Sequence, residues 1–245
     1  MQVKKYTHEE SYLKNNLASI FHRNRLKTIL SVIKKLPKNK KKSWVDFGCS
    51  NGFIIEQVKK EIGSIFFKVT GYDHSKAMIE LANKKNIINA KFITFDMNVV
   101  VKPEKQYDLV TCFETLEHVG NPFDAFKNLY KHLNPNGTIF ISMPNELNYV
   151  GLAKFLGRYF LRKKPYGDFF NNKSKFNYAK NLVLRKSIST FRDKDCLHYG
   201  PHLGFDYTVL ENYIKKSYLK KNLLKLTEKK YTLFNSNVFF IYEKI

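Results

Sequence analysis

The chain has 245 residues, with 43 Lys+Arg against 21 Asp+Glu and a formal charge of +22. That length holds one domain with an insertion, or one and a half domains, and the 43% hydrophobic and 26% charged residues are those of a soluble globular protein. No apolar run nears the roughly 20 residues of a membrane span, and MQVKKYTHEESYLKNN lacks the apolar core of a signal peptide, so a cytoplasmic protein without a transmembrane segment is expected.

The basic excess would concentrate an anionic partner: nucleic acid, an anionic membrane face or a phosphorylated small molecule. The richness in Lys, Asn, Ile and Phe also follows from codon bias in an AT-rich genome. Cys49, Cys112 and Cys196 have no paired spacing, which excludes a disulfide framework or zinc knuckle.

In chain order, residues 9–35 show apolar positions near a 3.6-residue period and predict a helix, broken by Pro37 and Lys38 to Lys42. SWVDFG (43–48) predicts a strand that stops at glycine, and residues 52–60 a helix. FFKVTGYD (66–73) predicts a strand, SKAMIELANKK (75–85) a helix, and AKFITFD (90–96) and YDLVTCF (107–113) two more strands. PFDAFKNLYKHL (122–133) predicts a helix closed by the turn NPNG, and GTIFISM (137–143) a fifth strand.

Residues 151–200 hold 12 Lys or Arg, 3 acidic residues and 10 Phe or Tyr, too aromatic for a disordered linker. They predict an inserted cap, helical or irregular. DYTVLENYIKKSY (206–218) predicts a helix, and NLLKLTE and NVFFIYE a closing antiparallel strand pair. The expected organisation is an N-terminal helical segment (1–42), an α/β core (43–143), a basic and aromatic cap (144–205) and a C-terminal completion of the core (206–245). The alternation of strands and helices predicts a doubly wound, mostly parallel α/β sheet with ligands at the carboxyl ends of its strands.

Asp46, Asp73, Asp96 and Glu114 stand at those ends. VDFGCSNG (45–52) follows a strand and opens a helix, a turn that lets backbone approach a ligand closely. No Gly-Lys-Ser/Thr follows, which excludes a phosphate loop, and Ser50 in the middle glycine position disfavours a dinucleotide loop. Asp73 could accept both hydroxyls of a ribose. Asp96 with Met97 suits an exocyclic amine and an apolar ring face.

VDFGCSNG, GYDHS, FDM, YDLVTCFETLEHV and LNPNGTIFISMPN together resemble the class I S-adenosylmethionine-dependent methyltransferases, over residues 43–145 and again over 206–245. The resemblance implies a seven-stranded Rossmann-like sheet with its last strand antiparallel. It implies that Asp46, Gly48 and Gly52 line the methionine end, Asp73 binds ribose and Asp96 with Met97 binds adenine, with Cys49, Ser50, His74 and Phe113 beside them. Ser50 departs from the family's usual glycine. No Asn/Asp-Pro-Pro-Tyr run follows the fourth strand, which disfavours the branch that methylates base amines.

CFETLEHVG (112–120) places Glu114, Glu117 and His118 at i, i+3 and i+4, one face of a helical turn. Two carboxylates and an imidazole suit a divalent metal, Mg²⁺, Mn²⁺, Fe²⁺ or Zn²⁺. The set is similar to that of ubiquinone O-methyltransferases and small-RNA 2′-O-methyltransferases; in the latter a downstream histidine completes the site, a part His198 or His202 could play. Without metal, His118 is the expected general base. Either way the expected acceptor atom is oxygen.

In the cap, Arg158, Arg162, Lys163, Lys164, Arg185 and Lys186 could hold phosphate, and Tyr159, Tyr166 and Tyr178 could stack on a ring or sugar. The expected acceptor is a small, anionic, phosphorylated or nucleotide-linked molecule such as a bacterial surface-polysaccharide (capsular) precursor. The alternatives are RNA 2′-O-methylation, O-methylation of a lipid quinone with basic, amphipathic GLAKFLGRYFLRKK (151–164) on the membrane, and a non-catalytic binding protein on the same fold. Both a monomer and a homodimer are compatible with the sequence.

Overall fold

Apolar runs that stop at Gly, Asp or Glu form parallel strands here because helices cover both faces of the sheet. The computed structural model describes residues 9–13, 17–37, 41–161, 174–192 and 203–245. Its strands are β1 Lys42–Phe47, β2 Phe66–Asp73, β3 Ala90–Thr94, β4 Tyr107–Phe113, β5 Leu133–Pro144, β6 Leu224–Tyr231 and β7 Asn237–Lys244. They make one seven-stranded sheet in the order β3-β2-β1-β4-β5-β7-β6. β1 to β5 pair in parallel, and β7 runs antiparallel between β5 and β6. The strand order reverses between β1 and β4, and a crevice opens at their carboxyl ends.

The helices are α1 Glu10–Leu13, α2 Leu17–Lys34, α3 Phe53–Ile62, α4 Lys76–Lys84, α5 Pro122–Lys131, α6 Asn148–Leu161, α7 Lys175–Val183 and α8 Tyr207–Ile214. Side chains start several of them. Ser75 caps α4, Asn121 with Pro122 opens α5, and Asp206 accepts from Thr208 N at the head of α8. Successive β1 residues face opposite sides. Trp44 packs in a core with Ile29 and Ile33 of α2 and Ile55 and Val58 of α3, whereas Val45 packs in a second core with Phe126 and Leu129 of α5 and Leu210 of α8. Edge strand β6 exposes Lys225, which discourages pairing with another chain.

Several expectations shift. Within the span expected as a helix, 9–35, the described elements are α1 and α2, with residues 14–16 outside the described residues. α5 stops at Lys131, because Leu133 already pairs with Tyr107; NPNG then forms an excursion inside β5 before Thr138 pairs with Leu109. β3 ends at Thr94, which leaves Asp96 two residues beyond it. The cap contributes α6 and α7, and Phe155, Tyr178 and Leu182 join the second core. Tyr178 is therefore a packing residue and not a surface on which an acceptor stacks. His198, His202, Arg162, Lys163, Lys164, Tyr166 and Cys196 lie outside the described residues. Among the described residues no helix is long and apolar enough to cross a membrane.

Candidate active site

Gly48 and Cys49 both donate their N–H to Tyr72 O, at 2.7 and 2.9 Å, which ties the turn after β1 to β2. Gly48 has φ +77°, and a Cβ there would run into the Thr115 side chain, so the turn requires glycine. Ser50, in the place of the family's usual glycine, adopts φ +49° and donates its N–H to Asp73 Oδ2 at 2.8 Å. The other oxygen of Asp73 accepts from Ser75 N at 2.9 Å. One carboxylate thus fixes both the glycine turn and the start of α4.

Asp46 lies buried at the end of β1, held by a relay from Trp44 Nε1 to Thr111 Oγ1 (2.8 Å) and from Thr111 Oγ1 to Asp46 Oδ1 (2.6 Å). Burial pushes its carboxyl up to about 7; the nearby Asp73 adds to the rise, and the Thr111 hydrogen bond opposes it. Asn51, also buried, donates to Glu9 Oε2 at 2.7 Å, while its Oδ1 has no hydrogen-bond partner among the described residues.

These groups line a cleft of about 1060 Å³ together with His74, Phe95 and Met97. Phe113 lines it where β4 ends, and Tyr149, Ala153 and Lys154 of α6 and Phe234 of the β6–β7 connection form another part of the wall. Gly52, with φ +74°, caps the N-terminus of α3. Asp96 is exposed and does not line the cleft; its Oδ1 accepts from Asn98 N and Asn98 Nδ2.

The Glu114–Glu117–His118 stretch does not form the expected helical face. Glu114 takes φ +51°, and its carboxylate accepts from Ser142 Oγ (2.9 Å) and Asn237 Nδ2 (2.6 Å). It is also ion-paired with Arg25 Nη1 at 3.1 Å. Arg25 comes from α2 and is itself buried, donating from Nε and Nη2 to Tyr12 Oη at 3.2 and 2.8 Å. Glu114 therefore holds the N-terminal helices onto the cleft, and a guanidinium sits where the expected metal would need an open carboxylate. His22, beside Arg25, is pushed down to about 4, first by burial and then by that guanidinium.

Glu117 and His118 do reach the cleft. Glu117 is buried, its Oε2 has no hydrogen-bond partner among the described residues, and its Oε1 lies 3.9 Å from His118 Nε2. Burial first, then the Glu114 charge, holds the Glu117 carboxyl well above the usual carboxylate range, against the opposing pull of Arg25 and Arg192. The His118 side chain is 40% exposed on the wall. Arg192, from the cap, donates to Glu117 O at 3.0 Å and Val119 O at 2.6 Å and so pins the backbone on both sides of His118. Among the described residues no cluster of three His, Cys, Asp or Glu side chains could hold a metal ion.

The cap residues also fall differently from expectation. Arg158 lines the cleft, but its guanidinium makes a bidentate pair with buried Glu146, at 2.8 and 2.7 Å. Tyr159 does not line the cleft; Lys175 Nζ lies 5.7 Å from its ring. Arg185 lies over the Tyr149 ring at 5.4 Å.

A family model described as "Methyltransferase domain" matches residues 21–185, more than half of the chain. The chain belongs to that family. Ubiquinone biosynthesis O-methyltransferase of Coxiella burnetii (strain RSA 493 / Nine Mile phase I) is 33% identical over 110 residues, which are 44% of this chain and 45% of that protein. The chain thus spans under half the length of the Coxiella relatives. The protein of the same name from Serratia proteamaculans (strain 568) is 28% identical over 184 residues, 71% of this chain and 73% of the relative.

Among solved structures, magnesium protoporphyrin IX methyltransferase of Synechocystis PCC 6803 with bound S-adenosylhomocysteine superposes with a TM-score of 0.60 at 14% identity, covering 97% of this chain and 92% of that one. Plantazolicin methyltransferase BpumL, also with S-adenosylhomocysteine, gives 0.62 at 15% identity over 96% and 88%. The fold is the Rossmann-like fold of S-adenosylmethionine-dependent methyltransferases.

The cleft fits that cofactor. Its glycine turn admits no Cβ, its buried Asn51 Oδ1 awaits a donor, and Asp46 offers a carboxylate for a cationic group. Folded Asp46 binds its proton up to about pH 7, whereas the unfolded group releases it near 3.8. Protonated Asp46 therefore contributes stability that is fully present below 3.8 and is lost as pH rises through about 7. Binding of an ammonium group should run the other way and strengthen up to a plateau above about 7. Calorimetry with S-adenosylhomocysteine across roughly pH 6 to 8 should show this rise, and Asp46→Asn should bind more weakly with a flat profile. A wild-type profile as flat as the mutant's would contradict the assignment of Asp46 to the ammonium end.

Sequence reasoning missed Tyr12, Arg25, Glu146 and Arg192. Arg25 alone left a trace: it stands on the stripe that continues through Ile29 and Val32, a charge at a core position of an amphipathic helix.

Proposed function

We propose that this chain transfers a methyl group from S-adenosylmethionine to a hydroxyl oxygen of a small acceptor with an aromatic or apolar body. The observation that carries it is the buried Glu117 Oε2, without a hydrogen-bond partner among the described residues, beside His118 in the cleft that the glycine turn and α6 also line. When bound, the cofactor supplies an electrophilic sulfonium methyl. Asp46, Asn51 and Asp73 would hold and orient it, with Met97 against its ring. His118 takes the proton of the acceptor hydroxyl. Glu117, whose carboxyl burial holds above the usual carboxylate range, hydrogen-bonds the acceptor at Oε2. Arg192 keeps the loop in place from outside.

The apolar acceptor is supported by Phe21, Phe234, Tyr149 and Val150 in the wall, and by relatives named for an O-methylation of ubiquinone biosynthesis. The phosphorylated, capsular-type acceptor loses support from Arg158, paired to Glu146, and from Tyr178, which is core. A divalent metal finds no place on Glu114 while Arg25 holds it, so the reaction should proceed in the presence of a chelator.

The test is transfer of labelled methyl to catechols and phenols, phosphorylated sugars and RNA, with chelator present and with His118→Ala as control. Label in an aromatic ether, with kcat reduced about 10²- to 10⁴-fold in the variant, is expected. Cofactor binding without transfer to any acceptor would favour a non-catalytic protein. Transfer to RNA alone would favour the 2′-O-methyltransferase reading.

A further inference from the structure

α6 carries a second apolar stripe, on the side away from the core. Tyr149, Ala153, Leu156 and Phe160 follow one another at i, i+4, i+7 and i+11, one helical face, and all are exposed, Phe160 at 76%. α7 packs alongside and exposes Phe176 (75%) and Val183, followed by Leu184. Two contacts show that the helices lie antiparallel and that their exposed faces form one surface: Lys175 Nζ meets the Tyr159 ring near one end, and Arg185 meets the Tyr149 ring near the other.

Among the described residues of the two helices, the charge has one sign. No Asp or Glu occurs from Leu147 to Leu161 or from Ser174 to Arg192. Lys175, Lys180, Arg185 and Lys186 are exposed there. A face that mixes bulky apolar side chains with cations and excludes acids matches the boundary of an anionic bilayer, where rings and aliphatic chains enter the acyl region and cations meet headgroup phosphates. A solvated charged face would carry both signs. A nucleic-acid face would not need Leu156, Val183 and Leu184, which neither stack on bases nor pair with phosphate.

We propose that the exposed α6–α7 face docks this protein on the surface of an anionic membrane. Tyr149 and Ala153 belong both to the stripe and to the cleft wall, so docking brings the mouth of the cleft to the lipid. The proposal stands on exposed side chains of which Leu156, Phe160, Phe176, Val183 and Leu184 do not line the cleft, and it does not require the methyl-transfer reading to hold.

The experiment is co-sedimentation of the full chain with vesicles of phosphatidylcholine alone or with about 30% phosphatidylglycerol, at low and physiological salt. Light scattering of the protein alone and S-adenosylhomocysteine calorimetry accompany it. Binding to the anionic vesicles only is expected, weakened about tenfold or more by the double substitution Leu156→Ser/Phe160→Ser. A loss of about fivefold is expected for each of Lys175→Gln and Lys186→Gln. The variants should keep the wild-type S-adenosylhomocysteine affinity, which separates a lost surface from a lost fold.

Absence of sedimentation, equal binding to both vesicle types, or anionic binding that the double substitution leaves unchanged would overturn the proposal. So would a dimer that the double substitution dissolves, which would make the face a contact between two copies. RNA binding weakened by that substitution, without vesicle binding, would overturn it in favour of a nucleic-acid surface.

Discussion

Asp73→Ala should weaken S-adenosylhomocysteine binding by about a hundredfold or more, the effect of losing charged hydrogen bonds worth about 1.5–3 kcal/mol each. The two oxygens of Asp73 take the N–H groups of Ser50 and Ser75, so the substitution releases the glycine turn and the head of α4 together. It also removes the carboxylate that would meet the ribose hydroxyls. Calorimetry reads the affinity, and a thermal scan of the unliganded protein reads the stability. Asp73→Asn, which keeps an acceptor for one N–H but no charge, should fall between wild type and Ala. An Asp73→Ala protein that folds and binds within threefold of wild type would remove Asp73 from the site.

The second large effect concerns stability. Arg25→Met should destabilise the protein by about 3–5 kcal/mol, because it leaves the Glu114 carboxylate buried without its counter-charge. In a chain of this size that shifts the midpoint of thermal unfolding by about 10 °C. Glu114→Gln should also destabilise, since Arg25 then keeps its charge in a buried place without the carboxylate that faces it at 3.1 Å. The double variant Arg25→Met/Glu114→Gln should be markedly less unstable than the sum of the two, since neither residual charge remains. Additive effects would show that the pair at 3.1 Å is not energetically coupled. The same cycle tests the metal: a chain whose Glu114 served a divalent ion would tolerate loss of Arg25 and would be stabilised by added cation.

Arg25 and Glu114 also mark where the sequence stops being informative. The five parallel strands and their crossover helices were legible because each depends on local pattern: an apolar run of strand length, a stop at Gly, Asp or Glu, then a 3.6-residue period. Asp46 and Asp73 were legible as cleft-lining residues for the same reason, since a carboxylate near the carboxyl end of a strand is aimed at the crevice whatever lies elsewhere. Asp96 was less so. β3 ends early, and two further residues are enough to turn the side chain out to solvent, where Asn98 takes it.

Spacing placed Glu114, Glu117 and His118 in one neighbourhood and could go no further. Whether three polar groups four residues apart act together depends on the backbone between them and on what arrives from other parts of the chain. Here Glu114 turns at a positive φ toward Asn237 and Arg25, both remote in sequence, while Glu117 is left facing the cleft.

The same holds for the cap. Composition showed it basic, aromatic and poor in acids, but not which aromatics pack inward. Tyr178 and Phe155 are core, and Tyr149, Leu156, Phe160 and Phe176 are outside, because α6 and α7 bury one face each and no more. The sequence by itself determined the sheet, its crossovers and the strand-end carboxylates, since these follow from short-range periodicity and turn chemistry. Only the tertiary structure decided the partners of the charged groups, because a buried carboxylate takes whichever cation or donor the fold delivers to it.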